Sequence, residues 1–179
     1  MRTISQRAAA VGLIGQIEPY DYTNAQAIVD WIKTLPQGVQ IFLIGDSCGA
    51  NILAWIAAEV APRKLAGIFP VQASVYCNSN CPPIGANVEN ASIVFSDWVH
   101  TGGLGVFQPP LLVPPTLAEG EDLYDGKWRV GNNGKTKVRY LYVPAAHPDD
   151  NDVSYVQNPI FACIKQIQNE AAVIAASQT

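Results

Sequence analysis

The sequence predicts an α/β domain of three layers, a mostly parallel sheet of about five strands flanked by helices. Two observations lead there. Apolar runs of strand length alternate with segments whose apolar residues recur at helical spacing, and 179 residues suit one domain, 1–179, with a single core. The composition, 49% hydrophobic and only 15% charged, excludes disorder for most of the chain. Strands alternating with helices connect by right-handed crossovers, and such sheets place their chemistry at the carboxyl ends of the strands.

Residues 4–11 are Ala-rich and stop at Gly12, after which Leu13-Ile14-Gly15-Gln16-Ile17 reads as a first strand ending at Pro19. A helix follows, with Thr23 or Asn24 as cap and Ala27, Ile28, Trp31, Ile32 and Leu35 on one face, until Pro36 ends it. Gln40-Ile41-Phe42-Leu43-Ile44 is a continuous apolar run that suits a strand covered on both faces. After Gly45-Asp46-Ser47-Cys48-Gly49, Ile52, Leu53, Trp55, Ile56 and Val60 mark a helix that finishes near Pro62. Further strands are expected at 65–71, 91–95 and 138–143. Residues 102–137 form an excursion: its Gly- and Pro-rich start suits neither helix nor central strand, and Asn133-Gly134 signals a hairpin turn. The last helix is expected to take Asn158 as cap and Pro159 in its first turn, with Ile160, Ile164, Ile167 and Ala171 on one face.

Several function classes are disfavoured at once. The net charge is −4 with no basic run, so no nucleic-acid partner is expected. No apolar stretch reaches the ~18–20 residues of a membrane-spanning helix, so a soluble protein without an integral membrane segment is expected. The N-terminus lacks the long apolar centre of a secretory signal, which leaves a cytoplasmic chain or a secreted one whose leader is already gone. Cys48, Cys77, Cys81 and Cys163 are too few and too irregular for a disulfide framework. They are expected as free thiols, with a Cys77–Cys81 bond as the alternative. Two isolated histidines leave too few ligands for a metal site. Phosphate binding at residues 45–49 lacks an adjacent Lys, and Asp46 would repel the anion.

Gly45-Asp46-Ser47-Cys48-Gly49 fits the G-x-S-x-G pattern of a nucleophile held at the tip of a strained strand-to-helix turn. Glycines two before and two after the serine would remove Cβ atoms that collide as strand and helix approach. The bland alternative is a tight turn whose Ser47 merely caps the helix. A serine nucleophile needs a base. His147, in Pro144-Ala145-Ala146-His147-Pro148, follows the last core strand at the sheet's carboxyl edge, and His100 is its rival. Asp97 follows the preceding strand and is the expected acid, against Asp149, Asp150 and Asp152 near His147 and Asp122 or Asp125 in the excursion.

The run Ile41-Phe42-Leu43-Ile44-Gly45-Asp46-Ser47-Cys48-Gly49-Ala50-Asn51, with Asp97 and His147 following in that order, resembles the small α/β-hydrolase-fold serine hydrolases of lipase, cutinase or thioesterase-like kind. In element order the resemblance covers about residues 13–172, and its specific motif is the elbow. It implies cleavage of an ester or related acyl bond through an acyl-enzyme, without cofactor or metal, on a small-molecule or lipid-like acyl substrate. It also implies Cys48 N–H as one oxyanion donor. Trp98, Tyr20 and Tyr22 are candidates for shaping a pocket, and Pro109 to Pro115 for an apolar rim. Two departures stand out: no His-Gly or Gly-Gly dipeptide precedes Ser47 to supply the second donor, and the excursion has no counterpart in the motif. The loop Pro19-Tyr20-Asp21-Tyr22 supplies that donor if the 13–17 strand plays the early role. If that strand is a later one, the hydrolase is truncated or weakened. The competing class is a non-catalytic binding or structural protein that keeps the scaffold.

Overall fold

A computed structural model of the chain describes residues 4–13, 15–71, 82–96, 115, 117–143 and 154–177. Helix α1 (Ile4–Ala10) ends where Gly12 turns to φ +76°, and Gly12 N donates to Ala9 O and Leu13 N to Ala8 O, both at 3.0 Å. This is a Schellman cap. It overturns the strand expected at 13–17: Leu13 is the apolar residue that folds back on a helix end, Gly15 at φ +141° breaks any extended run, and residues 15–17 belong to no strand.

Asp21 next organises a 3₁₀ turn at Tyr22–Asn24, accepting from Thr23 N at 2.9 Å and Thr23 Oγ1 at 2.6 Å. Helix α2 (Ala25–Thr34) continues from that turn with Asn24 in the cap position but making no side-chain cap bond, so Asp21 does the capping. Its far end is closed by Arg63, whose guanidinium donates to Leu35 O at 2.8 Å and Pro36 O at 2.5 Å.

The sheet contains β1 (Phe42–Asp46), β2 (Gly67–Val71), β3 (Asn90–Ser96), β4 (Arg129–Val130) and β5 (Lys137–Val143) in the order β1-β2-β3-β5-β4. All pairs are parallel except β4 with β5. The mostly parallel five-strand α/β class is as expected from sequence. Helix α3 (Cys48–Glu59) crosses from β1 to β2 and finishes before Pro62, also as expected.

Alternation along each strand sorts side chains between two cores. Leu43, Ile68, Ile93 and Tyr140 face α2 and α3, packing with Val29, Ile32, Leu53 and Ile56. Phe69, Val71 and Val94 face the other way, against Ala8 of α1 and Ile160, Phe161 and Ile164 of α4 (Ser154–Ala176). Each Ile, Leu or Phe buried in this way contributes about 1.5–3 kcal/mol.

Two boundaries differ from expectation. Helix α4 starts before Asn158, so Pro159 lies in its second turn, where it forgoes the bond to Tyr155 O. The burial of Ile160, Phe161 and Ile164 just beyond it offsets that loss. The run through Phe42, Leu43 and Ile44 is not covered on both faces, since Ile44 is 39% exposed, and among the described strands β1 lies at the edge of the sheet. With Leu13 held in the α1 cap, no strand among the described residues pairs with the outer side of β1.

The Asn133-Gly134 turn forms as expected. Gly134 has φ +70°, and Asn133 Oδ1 accepts from Lys135 N and Thr136 N, both at 3.0 Å. Within the excursion Pro115 bridges Gly131, and Asp125 bridges Leu141 of β5.

Candidate active site

The parallel register puts the ends of β1 and β2 side by side, Asp46 opposite Val71, and the ends of β3 and β5 likewise, Ser96 opposite Val143. Four carboxyl ends therefore share one edge of the sheet. Ser47 leaves that edge from β1.

Its backbone is the outstanding feature. Ser47 has φ +50° and ψ −115°, and it is the one non-glycine residue at positive φ among the described residues. Residues without a Cβ reach such angles freely, whereas serine held there costs on the order of 1–3 kcal/mol. Ser47 N donates to Val71 O at 2.9 Å, which fastens the strained residue to the end of β2. The side chain makes no cap bond to α3, so the simple helix-cap reading does not describe it.

The two flanking glycines are not equivalent. A Cβ at Gly45 would lie 2.3 Å from Gly49 O, 2.6 Å from Gly49 C and 2.9 Å from Ala50 N, so the first turn of α3 passes directly over the Gly45 backbone. A Cβ at Gly49 would meet Tyr22 Cβ at 3.8 Å, an ordinary contact. The expectation that both glycines relieve a collision holds for Gly45 and is corrected for Gly49.

That same distance locates the 3₁₀ turn: Tyr22, 49% exposed, stands beside the first turn of α3. Tyr20 turns instead toward α2, its ring centroid 6.2 Å from that of Trp31. Of the two tyrosines, Tyr22 is the one that adjoins the elbow.

Cys48 corrects the expectation of free thiols, since it is disulfide-bonded. Cys163 is free and buried, with burial pushing its thiol pKa up, and Cys77 and Cys81 lie outside the described residues. Spacing along the chain gave no sign of the Cys48 bond, and the alternative Cys77–Cys81 bond falls outside the described residues.

Asp97, His147 and Trp98 lie outside the described residues, as do His100, Asp149, Asp150 and Asp152. The strands that lead into Asp97 and His147 are described, and they end at the same edge as β1. Two rival acids are otherwise engaged. Asp125 holds Arg129 at 2.8 and 2.9 Å and accepts from Lys127, which keeps its pKa well below the usual carboxylate range, and Asp122 Oδ1 accepts from Tyr124 N at 2.9 Å. Both carboxylates brace the excursion.

Among the described residues no cluster of three His, Cys, Asp or Glu side chains suits a metal ion, and no helix is long and apolar enough to cross a membrane. No family model matches the chain, and neither a curated protein nor a solved structure is similar to it.

Proposed function

We propose that the chain is a serine hydrolase of the α/β-hydrolase kind that cleaves esters or related acyl bonds of small-molecule or lipid-like substrates. The observation that carries this reading is the backbone of Ser47, strained at φ +50° at a strand-to-helix turn while its side chain caps nothing. A turn with no chemical task would relax to glycine or to an extended cap.

In this reading His147 takes the Ser47 proton as Oγ attacks the acyl carbonyl, and Asp97 orients the imidazole and stabilises its charged form. The Cys48 amide, at the positive end of α3, receives the oxyanion. His147 then returns the proton to the leaving group, and water releases the acyl group by the reverse sequence. Geometry of the sheet supports the assignment. Strands β3 and β5 lie two and three spacings from β1, about 10 and 14 Å away. His147 is four residues past Val143, and four extended residues reach about 13 Å. The Asp21-to-Tyr22 turn stands beside Gly49 and is the candidate segment for a second oxyanion donor.

The edge position of β1 favours a second reading, a binding or structural protein that retains the scaffold. A fluorophosphonate probe separates the two. Labelling of the wild type but not of Ser47→Ala or His147→Ala supports the hydrolase, and absence of Ser47-dependent labelling in the folded wild type refutes it. Asp97→Asn is expected to retain more p-nitrophenyl ester hydrolysis than either alanine variant.

A further inference from the structure

One cation of the sheet is placed as a receptor rather than as a brace. Arg139, half-buried on β5, points to the α4 side, since Val138 and Tyr140 flanking it pack toward α2 and α3 while Leu141 packs toward α4. Its register partner on β3 is Ser92, 1% exposed, whose Oγ accepts from Arg139 Nε at 2.8 Å. Trp128, just before β4, takes the guanidinium on its ring, with Arg139 Cζ 4.6 Å from the ring centre. A neutral hydroxyl and an indole face thus fix the plane of the cation, and neither neutralises it.

The terminal nitrogens are left over. Arg7, Arg63 and Arg129 each aim Nη groups at an acceptor in the protein, whereas neither Nη of Arg139 has one among the described residues, and no described carboxylate pairs with it. A charge drawn partly out of water calls for an opposite one. With Nε–H spent on Ser92, the open edge is the end-on pair Nη1 and Nη2, which matches two oxygens borne on one atom. Nearby charge decides what kind of anion fits. The Cys163 thiol pKa is pushed up by burial, drawn down by Arg139 and pushed up by Glu170, so both charges stand near that sulfur of α4. Glu170 accepts from Gln166 Nε2 at 2.8 Å and makes no ion pair with Arg139, and Lys137, exposed and next along β5 on the same face, offsets its charge. One positive charge remains.

We propose that Arg139, set by Ser92 and Trp128, is a binding site for the carboxylate of a small apolar acid, held by Nη1 and Nη2 together. A monoanion matches the single charge, and a dianion does not. Trp128 and Leu141, both partly buried on that side, offer the acid an apolar surface. The site lies four residues, about 13 Å, before the end of β5 and three strands from β1, so it is separate from Ser47 and independent of the hydrolase reading.

The test titrates the isotopically labelled full chain with sodium butyrate, sodium phosphate and sodium chloride at constant ionic strength and mildly alkaline pH, where phosphate is a dianion. The side-chain N–H resonances of Arg139 and Trp128 are followed by NMR, the latter assigned with Trp128→Phe. Butyrate is expected to move both along a saturating curve, phosphate to bind more weakly, and chloride to leave them in place. Arg139→Gln is expected to weaken butyrate about 10- to 100-fold, the worth of one hydrogen bond to a charged group, and Arg139→Lys, which keeps the charge and loses the fork, to weaken it as well. Where Arg139→Gln fails to fold, Arg139→Lys and the wild-type titration decide.

Undiminished butyrate affinity in the folded variants overturns the site, as do Arg139 and Trp128 resonances that stay in place or that respond to chloride as to butyrate. Phosphate binding as tightly as butyrate overturns the carboxylate assignment. Ser47-dependent fluorophosphonate labelling is a separate readout that bears on the hydrolase reading alone, and Arg139→Gln is expected to leave it unchanged.

Discussion

Substituting Gly45 by Ala tests the elbow without touching any group that reacts. The new methyl would stand 2.3 Å from Gly49 O, and side chains tolerate at best about 3.0 Å, so the first turn of α3 must withdraw by about 0.7 Å. All three atoms in its way are backbone, and no rotamer relieves them. Overpacking of this kind costs about 1–3 kcal/mol. At ~2–4 °C per kcal/mol for a chain of this size, the melting temperature should fall by roughly 2–12 °C. The same withdrawal displaces the Cys48 amide relative to Ser47, and misplacement by about 1 Å costs on the order of 100-fold in rate. Gly49→Ala is the control: its methyl meets Tyr22 Cβ at 3.8 Å and sits inside α3, where Ala is favoured over Gly by up to ~1 kcal/mol. Thermal melts by circular dichroism and steady-state hydrolysis of p-nitrophenyl butyrate decide the matter. A Gly45→Ala protein as stable and active as wild type, or a Gly49→Ala protein equally damaged, refutes the reasoning.

Three other substitutions follow from the same structure. Ser47→Gly should be more stable than Ser47→Ala by about 1 kcal/mol or more and so melt higher by roughly 2–4 °C or more, since glycine alone relieves the positive φ; equal melting points would show that no strain is stored there. Tyr140, 1% exposed, has a hydroxyl without a hydrogen-bond partner among the described residues, so Tyr140→Phe should stabilise the fold by about 1 kcal/mol in urea titrations. Burial pushes the Tyr140 pKa up from 10.0 to about 12, so its contribution is complete below pH 10 and is lost as pH rises through 12, and Tyr140→Phe should remove that alkaline loss. Asp21→Ala should speed hydrogen exchange of the Thr23 amide at least tenfold. The bonds from Thr23 lower the Asp21 pKa, so the wild-type protection holds above the ordinary carboxylate range and fades as pH falls through the lowered value.

Periodicity served where burial is the dominant force. Residues 42–46, 67–71, 90–96 and 137–143 are apolar enough to require a covered sheet, and Asn133-Gly134 encodes its turn locally. It failed where a local hydrogen-bond motif competes with it. Leu13 looks like a strand residue because it is apolar, but Gly12 ahead of it makes it the fold-back position of a helix cap. Pro159 resembles a helix start by propensity, yet packing of Ile160, Phe161 and Ile164 carries α4 through it. At the elbow, the pattern located the strained turn at Ser47 and the close approach over Gly45. The different environments of Gly45 and Gly49, and the bonding of Cys48, depend on what lies across space from each, which spacing along the chain does not encode.

Residue 47 is fixed by more constraints than a connection requires. A strand-to-helix turn needs only a residue in extended conformation whose oxygen accepts from the next amides, and serine serves that role well with no strain. Here Ser47 forgoes the cap bond and takes an angle that favours glycine. Its amide is fastened to Val71, the carbonyl of Gly49 closes over Gly45, and Cys48 is tied by a covalent bond. The first two contacts act on backbone and the third on the neighbouring side chain, and with them in place the Ser47 hydroxyl makes no helix-cap bond. A polar side chain kept away from its cheapest hydrogen bond, at a cost of order 1–3 kcal/mol, is the expected state of a nucleophile and an anomalous one for a cap.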